Sequence, residues 1–571
     1  MVSDERALAT WLAALDDEGL AATLAGRGVP ASVAWHDFFD ASEGLLDAAS
    51  LDRALARLPR SALSALAGDA PVTDGALQRL ALIDASGHPY AAVKDRIDQL
   101  SASRPAAFDI APSPPPPVAA DDRTAAAAAE RAFTTAGSLA DALLACLHSP
   151  FARTGSGVVS AAERKRLGDT GAVGATEDIE DLLAAAEAAG LAAAEDRQWV
   201  VTPEGERWLE SSTARRWTVL AEGFRDALPE GLRTDSGGFV DPAAWADAYP
   251  LDPEWPLRVA RMQRIGARWG LLTADGSELP WTAVLREGLP ADATTLGVHL
   301  PAEIDRVYLQ ADLTAIAPGP LAPALDLRLR AIAVRESRAQ ASTYRFTADS
   351  LGAGMTEGET AGSIREFLAQ LSLTGIPQPL DYLIESTAAR HGLVRVRADE
   401  VTGRAVVESP DVSLRETIAI DQALRPLGLI PDGDVLLSRV TRDTVYWSLA
   451  DARYPVVALD ASGAPESVRR RAVAIDSPGA SSPTGTYARL LSELRNGHGT
   501  EGEEGWLGRE LEQAVRGRSE IVVVVRMPDG AERTLTLEAS GLGGGRLRGR
   551  DRAADIERTL PVSSIVSVRP A

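Results

Sequence analysis

The sequence predicts a multidomain α+β protein with a mostly helical N-terminal half, α/β units in the middle and a small β-barrel at the C-terminus. The length of 571 residues corresponds to several domains at the usual size of ~100–200 residues each. Apolar residues recur every three or four positions through the first part of the chain, which is typical of amphipathic helices. Short β-branched runs between glycine-rich turns fill residues 519–571 and indicate strands.

Composition and charge limit the possible functions. The chain carries 81 acidic and 58 basic residues, a net charge of −23, so we expect any nucleic-acid contact to be local. The single cysteine, Cys146, excludes an intramolecular disulfide and a cysteine-based zinc site, and it fits a reducing, cytoplasmic location. We expect neither a signal peptide nor a membrane span, because the N-terminus is acidic and no uncharged apolar run approaches ~18 residues.

The lysine content excludes one class of enzyme. Lys94 and Lys165 are the only lysines, and neither stands in the Gly-Lys-Ser/Thr sequence with which a P-loop binds phosphates and magnesium. The chain therefore has no Walker A motif, and we do not expect it to be an NTP-driven motor. The six histidines are scattered without metal-ligand spacing, so we predict no catalytic residues, no metal and no cofactor.

The first 304 residues are predicted to form three helical regions. Residues 1–100 form a helical N-terminal domain, and 101–122 are a Pro/Ala linker whose four consecutive prolines favour extended polyproline geometry. A winged-helix-like domain is expected over 123–228. A Trp-rich helical region follows over 229–304, and we expect its tryptophans to pack in the core.

The winged-helix prediction depends on the order of elements. Segments 159–169 and 178–192 show helical spacing, and 196–210 indicates a small hairpin followed by a helix. Domains of this kind bind duplex DNA or other proteins. The second helix is acidic, which argues against its lying in a major groove. The acidic residues are Glu177, Asp178, Glu180 and Asp181.

An α/β pattern begins at residue 305 and continues to about 400. It predicts strands and helices in alternation, including one helix over 324–340. Three strings within it are distinctive: YLQADLT at Tyr308–Thr314, YRFT at Tyr344–Thr347 and IPQPL at Ile376–Leu380.

In this order the three strings resemble the N-terminal domain of XPB-type DNA helicases. The chain as a whole more loosely resembles an actinobacterial family of helicase-associated proteins that carry this domain without the motor. The resemblance marks Gln310, Asp312, Tyr344, Arg345 and Pro377 as motif or interface residues. It implies docking on an XPB-type DNA helicase or a related repair or transcription protein, since the XPB domain docks on another subunit.

Two further units complete the chain. Residues 401–480 are predicted to form a second α/β or winged unit. Residues 481–571 are predicted to contain a Gly/Glu-rich loop at 496–505, a helix, and five short strands with turns at Asp529-Gly530 and Gly543–Gly545. The order of these strands resembles the WYL domain, a small Sm-like β-barrel found beside DNA-binding modules.

The C-terminal segment has a local positive balance, with 11 arginines and 9 acidic residues over 507–571. Arg546, Arg548, Arg550 and Arg552 alternate, so we expect them to share one face of a strand or adjoining turn. Such a face suits phosphate or single-stranded nucleic acid. The alternative, slightly favoured because the segment lacks aromatic residues, is a solvated edge strand whose charges block strand addition.

Two functions from different classes remain. The first is a non-catalytic accessory protein that docks on a helicase, repair or transcription assembly through 305–400 and contacts nucleic acid, single-stranded or duplex, through the C-terminal arginines. The alternative is a ligand-responsive transcription regulator that binds duplex DNA through the winged-helix-like domain and senses a ligand with the barrel.

Overall fold

The computed structural model describes residues 4–110, 115–169, 178–338, 341–399, 403–461, 463, 465–466, 468, 482–527, 530–552 and 554–570, with the backbone alone for 338, 498–506 and 570. Five hydrophobic cores organise these residues. None of the described helices has the length and apolar character needed to cross a membrane. Glu177 and Asp529, which the sequence analysis singled out, lie outside the described residues.

The N-terminal core is built from short helices. Aspartates at the ends of loops begin several of them, since their carboxylates accept hydrogen bonds from the first free backbone N–H groups. Buried Arg27 donates to the carbonyl oxygens of Leu80 and Leu45, and burial lowers its pKa to about 10. The helices are α1 (Asp4–Ala14), α2 (Asp17–Gly26), α3 (Phe38–Leu46), α4 (Ala48–Ala56), α5 (Arg60–Ala67), α6 (Gly75–Arg79) and α7 (Ala91–Ser103).

A second core extends from Ala125 to Leu296, across the domain boundary expected at 228. Its tryptophans are buried, as expected: Trp245, Trp255, Trp269 and Trp281. The antiparallel sheet in this region has the order β1-β3-β2. The elements are α8 (Asp122–His148), β1 (Phe151–Ala152), α9 (Ala161–Asp169), α10 (Ile179–Ala188), β2 (Ala192–Glu195), β3 (Gln198–Val201), α11 (Pro203–Glu210), α12 (Thr213–Asp226), α13 (Trp255–Arg268), α14 (Pro280–Arg286) and α15 (Ala293–Gly297).

The third core belongs to a unit that we call the central module, residues 307–390. A four-stranded antiparallel sheet of order β4-β5-β7-β6 packs against helices. The prediction of one helix over 324–340 is wrong, because the observed helix ends at Ile332. The residues after it form a strand that pairs with β7. The elements are β4 (Tyr308–Leu309), β5 (Thr314–Ala317), α16 (Pro323–Ile332), β6 (Val334–Arg338), β7 (Ser342–Arg345), α17 (Ala348–Thr356), α18 (Ala361–Leu371) and α19 (Gln378–Arg390).

The fourth core lies under a six-stranded sheet of order β10-β11-β9-β8-β12-β13. Of its strand pairs, β8 with β12 is parallel and the others are antiparallel. The elements are β8 (Val394–Ala398), β9 (Ala405–Glu408), α20 (Val412–Ile420), β10 (Ile430–Asp432), β11 (Val435–Ser438), α21 (Arg442–Asp451), β12 (Val456–Leu459) and β13 (Pro465–Glu466).

The longest helix, α22, spans Pro483–Gly517 and joins two cores. The prediction of a loop at 496–505 is therefore wrong, since the helix continues through these residues. Leu490, Leu491 and Leu494 are buried in the N-terminal core, whereas Leu511 and Ala514 belong to the fifth core. Helix α22 thus packs on the first hundred residues and also on the C-terminal strands.

The C-terminal sheet has five antiparallel strands in the order β17-β16-β15-β14-β18. A meander of four strands is followed by a 3-10 turn, and the fifth strand returns to pair with the first. The predicted barrel is corrected, because β17 and β18 are opposite edges and the described sheet stays open. The strands are β14 (Glu520–Arg526), β15 (Glu532–Gly543), β16 (Arg546–Asp551), β17 (Ile556–Pro561) and β18 (Ile565–Pro570).

Candidate partner and nucleic-acid interfaces

The string YLQADLT forms the hairpin between β4 and β5. Leu313 adopts a left-handed backbone with φ of 67°, which the turn requires. The Thr314 hydroxyl donates to the carboxylate of Asp312 at 2.6 Å and lies 3.2 Å from Oε1 of Gln310. Gln310 and Asp312 therefore shape this turn, and the main chain of Phe346 is bonded to it at 2.9 Å.

Tyr344 and Arg345 are neighbours on β7 and face opposite sides of the sheet. Tyr344 is buried and donates its hydroxyl to Asp326 at 2.5 Å; burial, together with this carboxylate, raises its pKa. Arg345 lies on the outer face, where it pairs with Glu336 of β6 and approaches the carbonyl oxygen of Asp312 at 3.4 Å. The structure therefore brings Arg345 to the hairpin, whereas Tyr344 belongs to the core.

Pro377 precedes α19 and occupies its N-cap position. Its φ of −63° suits the entry into a helix, and the string continues into buried Leu380. The motif residues thus have mainly structural roles, and among the five Arg345 contributes a charged side chain to the surface of the sheet.

An ion-pair cluster that the sequence analysis missed joins the central module to α8. Asp141 of α8 accepts from Arg330 at 2.8 Å and from Arg335 at 2.6 Å. Burial lowers the pKa of Arg335, but the charge of Asp141 and its hydrogen bond outweigh burial. The net shift of this pKa is therefore upward. Nothing in the sequence pattern pairs residues almost 200 positions apart, so tertiary structure was needed to find this contact.

A cavity of about 630 Å³ lies beside this cluster. Its walls come from α8, α11, α16, α17 and α21 and are largely apolar, including Leu144, Leu209 and Leu327. His148 of α8 lies 3.6 Å from the carboxylate of Glu357, the residue that caps the C-terminus of α17. The hydrogen bond with Glu357 raises the pKa of His148, so this contact strengthens when the imidazole is protonated.

The acidic residues at helix α10 form ion pairs with other residues of the protein. Asp181 is buried and pairs with Arg264 at 2.6 Å and with Arg261 at 3.3 Å, both from α13. Burial raises the pKa of Asp181, but its hydrogen bonds and the two positive charges outweigh burial, and the net shift is downward. Asp178 pairs with Arg268, which also lies on α13. These contacts tie the acidic face of α10 to α13.

The C-terminal arginines divide into two pairs. Arg546, Arg548 and Arg550 alternate along β16 and are exposed on its outer face, as predicted. Arg550 pairs with Asp555, and Arg552 lies past the end of the strand, where it donates to Glu538 at 2.9 Å. Within the described part of the chain, no carboxylate forms an ion pair with Arg546 or Arg548.

No cluster of three or more candidate metal ligands occurs among the described side chains. Cys146 is buried at 3.3 Å from the carbonyl oxygen of Trp199, and burial raises the pKa of its thiol to about 12. This cysteine is therefore a poor nucleophile at neutral pH.

Comparison with known families identifies one segment of the chain. Residues 307–431 match the family described as the helicase conserved C-terminal domain. The match covers about a fifth of the 571 residues, including all three motif strings, and continues into β10. No curated protein matches the chain. The chain therefore contains a helicase-related domain, which agrees with a helicase-related association with nucleic acid.

Proposed function

We propose that this chain is a non-catalytic accessory protein that docks on an XPB-type DNA helicase, or on a related repair or transcription protein, through the helicase-related domain. The observation that carries the proposal is this domain in a chain that lacks a Walker A motif. A helicase motor requires a phosphate loop whose lysine reaches the β- and γ-phosphates. Without that loop, we assign the domain to recognition.

The sheets support this assignment. Nucleotide-driven motors place the phosphate loop between a strand and a helix of a mostly parallel sheet. The two sheets of 307–466 are antiparallel except for the pair β8 and β12. Among the described residues, both strands of the parallel pair are followed by strands, so no strand-to-helix phosphate loop lies at their carboxyl ends.

We place the docking surface beside the YLQADLT hairpin. Tyr308 of β4 and Leu373 are exposed, and they lie on adjacent segments because the main chain of Leu373 is bonded to Val307. Tyrosine and arginine are enriched in binding hot spots, and Arg345 lies on the outer face of the same sheet.

Docking can be tested with the full-length protein and a purified XPB-type helicase. The double variant Tyr308→Ala/Leu373→Ala should weaken binding by about tenfold or more, measured by biolayer interferometry. The control is Leu257→Ala/Val298→Ala, which removes two even more exposed apolar side chains from the helical half. No binding by the wild-type protein, or equal loss in both variants, would overturn the proposal.

The regulator function has less support. A winged helix reads DNA with an exposed recognition helix, whereas the acidic face of α10 is bound by the arginines of α13.

We also propose three finer assignments. The order of elements from α8 to α11 supports a winged-helix-like domain, and the return of β18 to β14 supports an opened Sm- or WYL-like unit. The single thiol supports a cytoplasmic location.

A further inference from the structure

The arginines of β16 do not protect a sheet edge. Strand β16 pairs with β15 on one side and with β17 on the other, so its backbone groups are satisfied within the sheet. Charged residues that block strand addition lie on edge strands, and the edges of this sheet are β17 and β18. The edge-protection interpretation of the arginines is therefore wrong.

The half of β16 nearest the glycine turn is positive and uncrowded. Arg548 stands opposite Gly541 and Thr559, and Arg546 stands opposite Gly543 and Pro561. None of these four neighbours carries a charge, and a Cβ added at either glycine would meet nothing within 4 Å. A ligand can therefore reach both guanidinium groups from the solvent.

The other half of the strand is neutralised. Arg550 stands opposite Glu538 and Glu557 and pairs with Asp555. Arg552 beside it donates to Glu538 and lowers the pKa of that carboxyl. Positive charge is therefore concentrated at the turn end of the sheet, on Arg546 and Arg548.

We propose that Arg546 and Arg548 form a binding site for the phosphate backbone of a nucleic acid. Residues two apart on a strand are roughly 7 Å apart, so each guanidinium can contact a separate phosphate of an extended strand. Residues 507–571 contain no aromatic side chain, so the site lacks a platform for base stacking. The site therefore binds phosphates without stacking on the bases. It goes beyond helicase docking and does not depend on it.

The test is fluorescence anisotropy on the full-length protein at about 50 mM and about 200 mM salt. One probe is a labelled oligothymidylate, and the other is a labelled duplex of the same length. The variant Arg546→Ala/Arg548→Ala should lose about tenfold or more in affinity at the lower salt. Loss of two phosphate contacts should reduce the slope of log K against log salt by about 1.4 on the single strand or about 1.8 on the duplex.

The matched control is Arg550→Ala/Arg552→Ala, which removes the same charge from the neutralised arginines outside the proposed site. It should change affinity by less than about twofold, since these arginines already hold carboxylates. Tighter binding of one probe identifies which form of nucleic acid supplies the phosphates. The proposal is overturned if neither probe binds the wild-type protein at the lower salt, or if both double variants lose the same affinity.

Discussion

Gly497 lies where helix α22 crosses the loop before α3. A Cβ at this position would lie 2.0 Å from the carbonyl oxygen of His36 and 3.1 Å from the Cβ of Asp37. The glycine therefore permits a close approach between the helix and a backbone segment more than 450 positions earlier in the chain. In the sequence the same residue suggested a loop, because glycine is a weak helix former.

Two substitutions in α22 should change stability in opposite directions. Gly497→Ala should lower the free energy of unfolding by about 1–3 kcal/mol, since the added methyl group overlaps the His36 carbonyl. Gly508→Ala in the same helix should raise it by about 1 kcal/mol, because a Cβ there meets nothing within 4 Å and alanine favours the helix. Urea denaturation measures both. Equal effects of the two changes would contradict the packing of α22 on the N-terminal core.

At the scale of elements, ion pairs link α8 to the central module. Asp141 binds Arg330 and Arg335, and His148 contacts Glu357 at the C-terminal end of α17. The cavity between these elements shows that apolar packing is incomplete here. The attachment of the central module to α8 should therefore respond to pH and salt more than the cores do.

The pH dependence at this contact has a definite sign. Glu357 raises the pKa of His148 above its ordinary value of 6.5, and Arg330 opposes this rise. The contribution of the pair is complete below that ordinary value and is lost as the pH rises through the folded-state pKa. Glu206 and Glu210 line the same cavity as His148.

His148→Gln should therefore destabilise the protein relative to wild type at about pH 6 and have almost no effect at about pH 9. The difference should stay below about 1 kcal/mol, because the pair is largely exposed. Thermal melts of both proteins at the two pH values measure it. Glu357→Gln should give the same pattern, and a larger effect at about pH 9 would rule out this origin.

At the scale of the whole molecule, α22 connects the two ends of the chain. Arg495 of this helix donates to the carbonyl oxygen of Ala13 at 2.7 Å, and Arg509 pairs with Asp37 at 2.7 Å. The hydroxyl of Tyr487 donates to the carbonyl oxygen of Val29 at 2.6 Å. The N-terminal core is therefore completed by residues from the last sixth of the chain.

The fragment 1–110 should be less stable alone than with a synthetic peptide of residues 482–497. Leu490, Leu491 and Leu494 are buried against this fragment, and each buried leucine contributes about 1.5–3 kcal/mol. Adding the peptide should raise the melting temperature of the fragment. A control peptide with serine at the three leucine positions should leave it unchanged, and a fragment that melts identically with and without the peptide would contradict this completion of the core.

Local pattern was enough to predict most elements of this protein. Amphipathic spacing predicted the helical first half and the helix that includes Leu511, and the large apolar area of tryptophan predicted that the tryptophans are buried. Alternation placed Arg546, Arg548 and Arg550 on one exposed face. The motif strings predicted the helicase-related domain, which a family match over 307–431 supports. These features depend on residues close together in the chain, where propensity and periodicity act.

Contacts between distant residues were decided only by the tertiary structure. The strand after Ile332 forms because β7 offers a pairing partner, which overrides the helical spacing. The helix through 496–505 continues because both of its ends are packed on separate cores. The positions of β16 inside its sheet and of Asp141 beside Arg335 follow from strand order and domain packing. A local sequence pattern does not reveal these arrangements, because they depend on residues that come together only after the chain has folded.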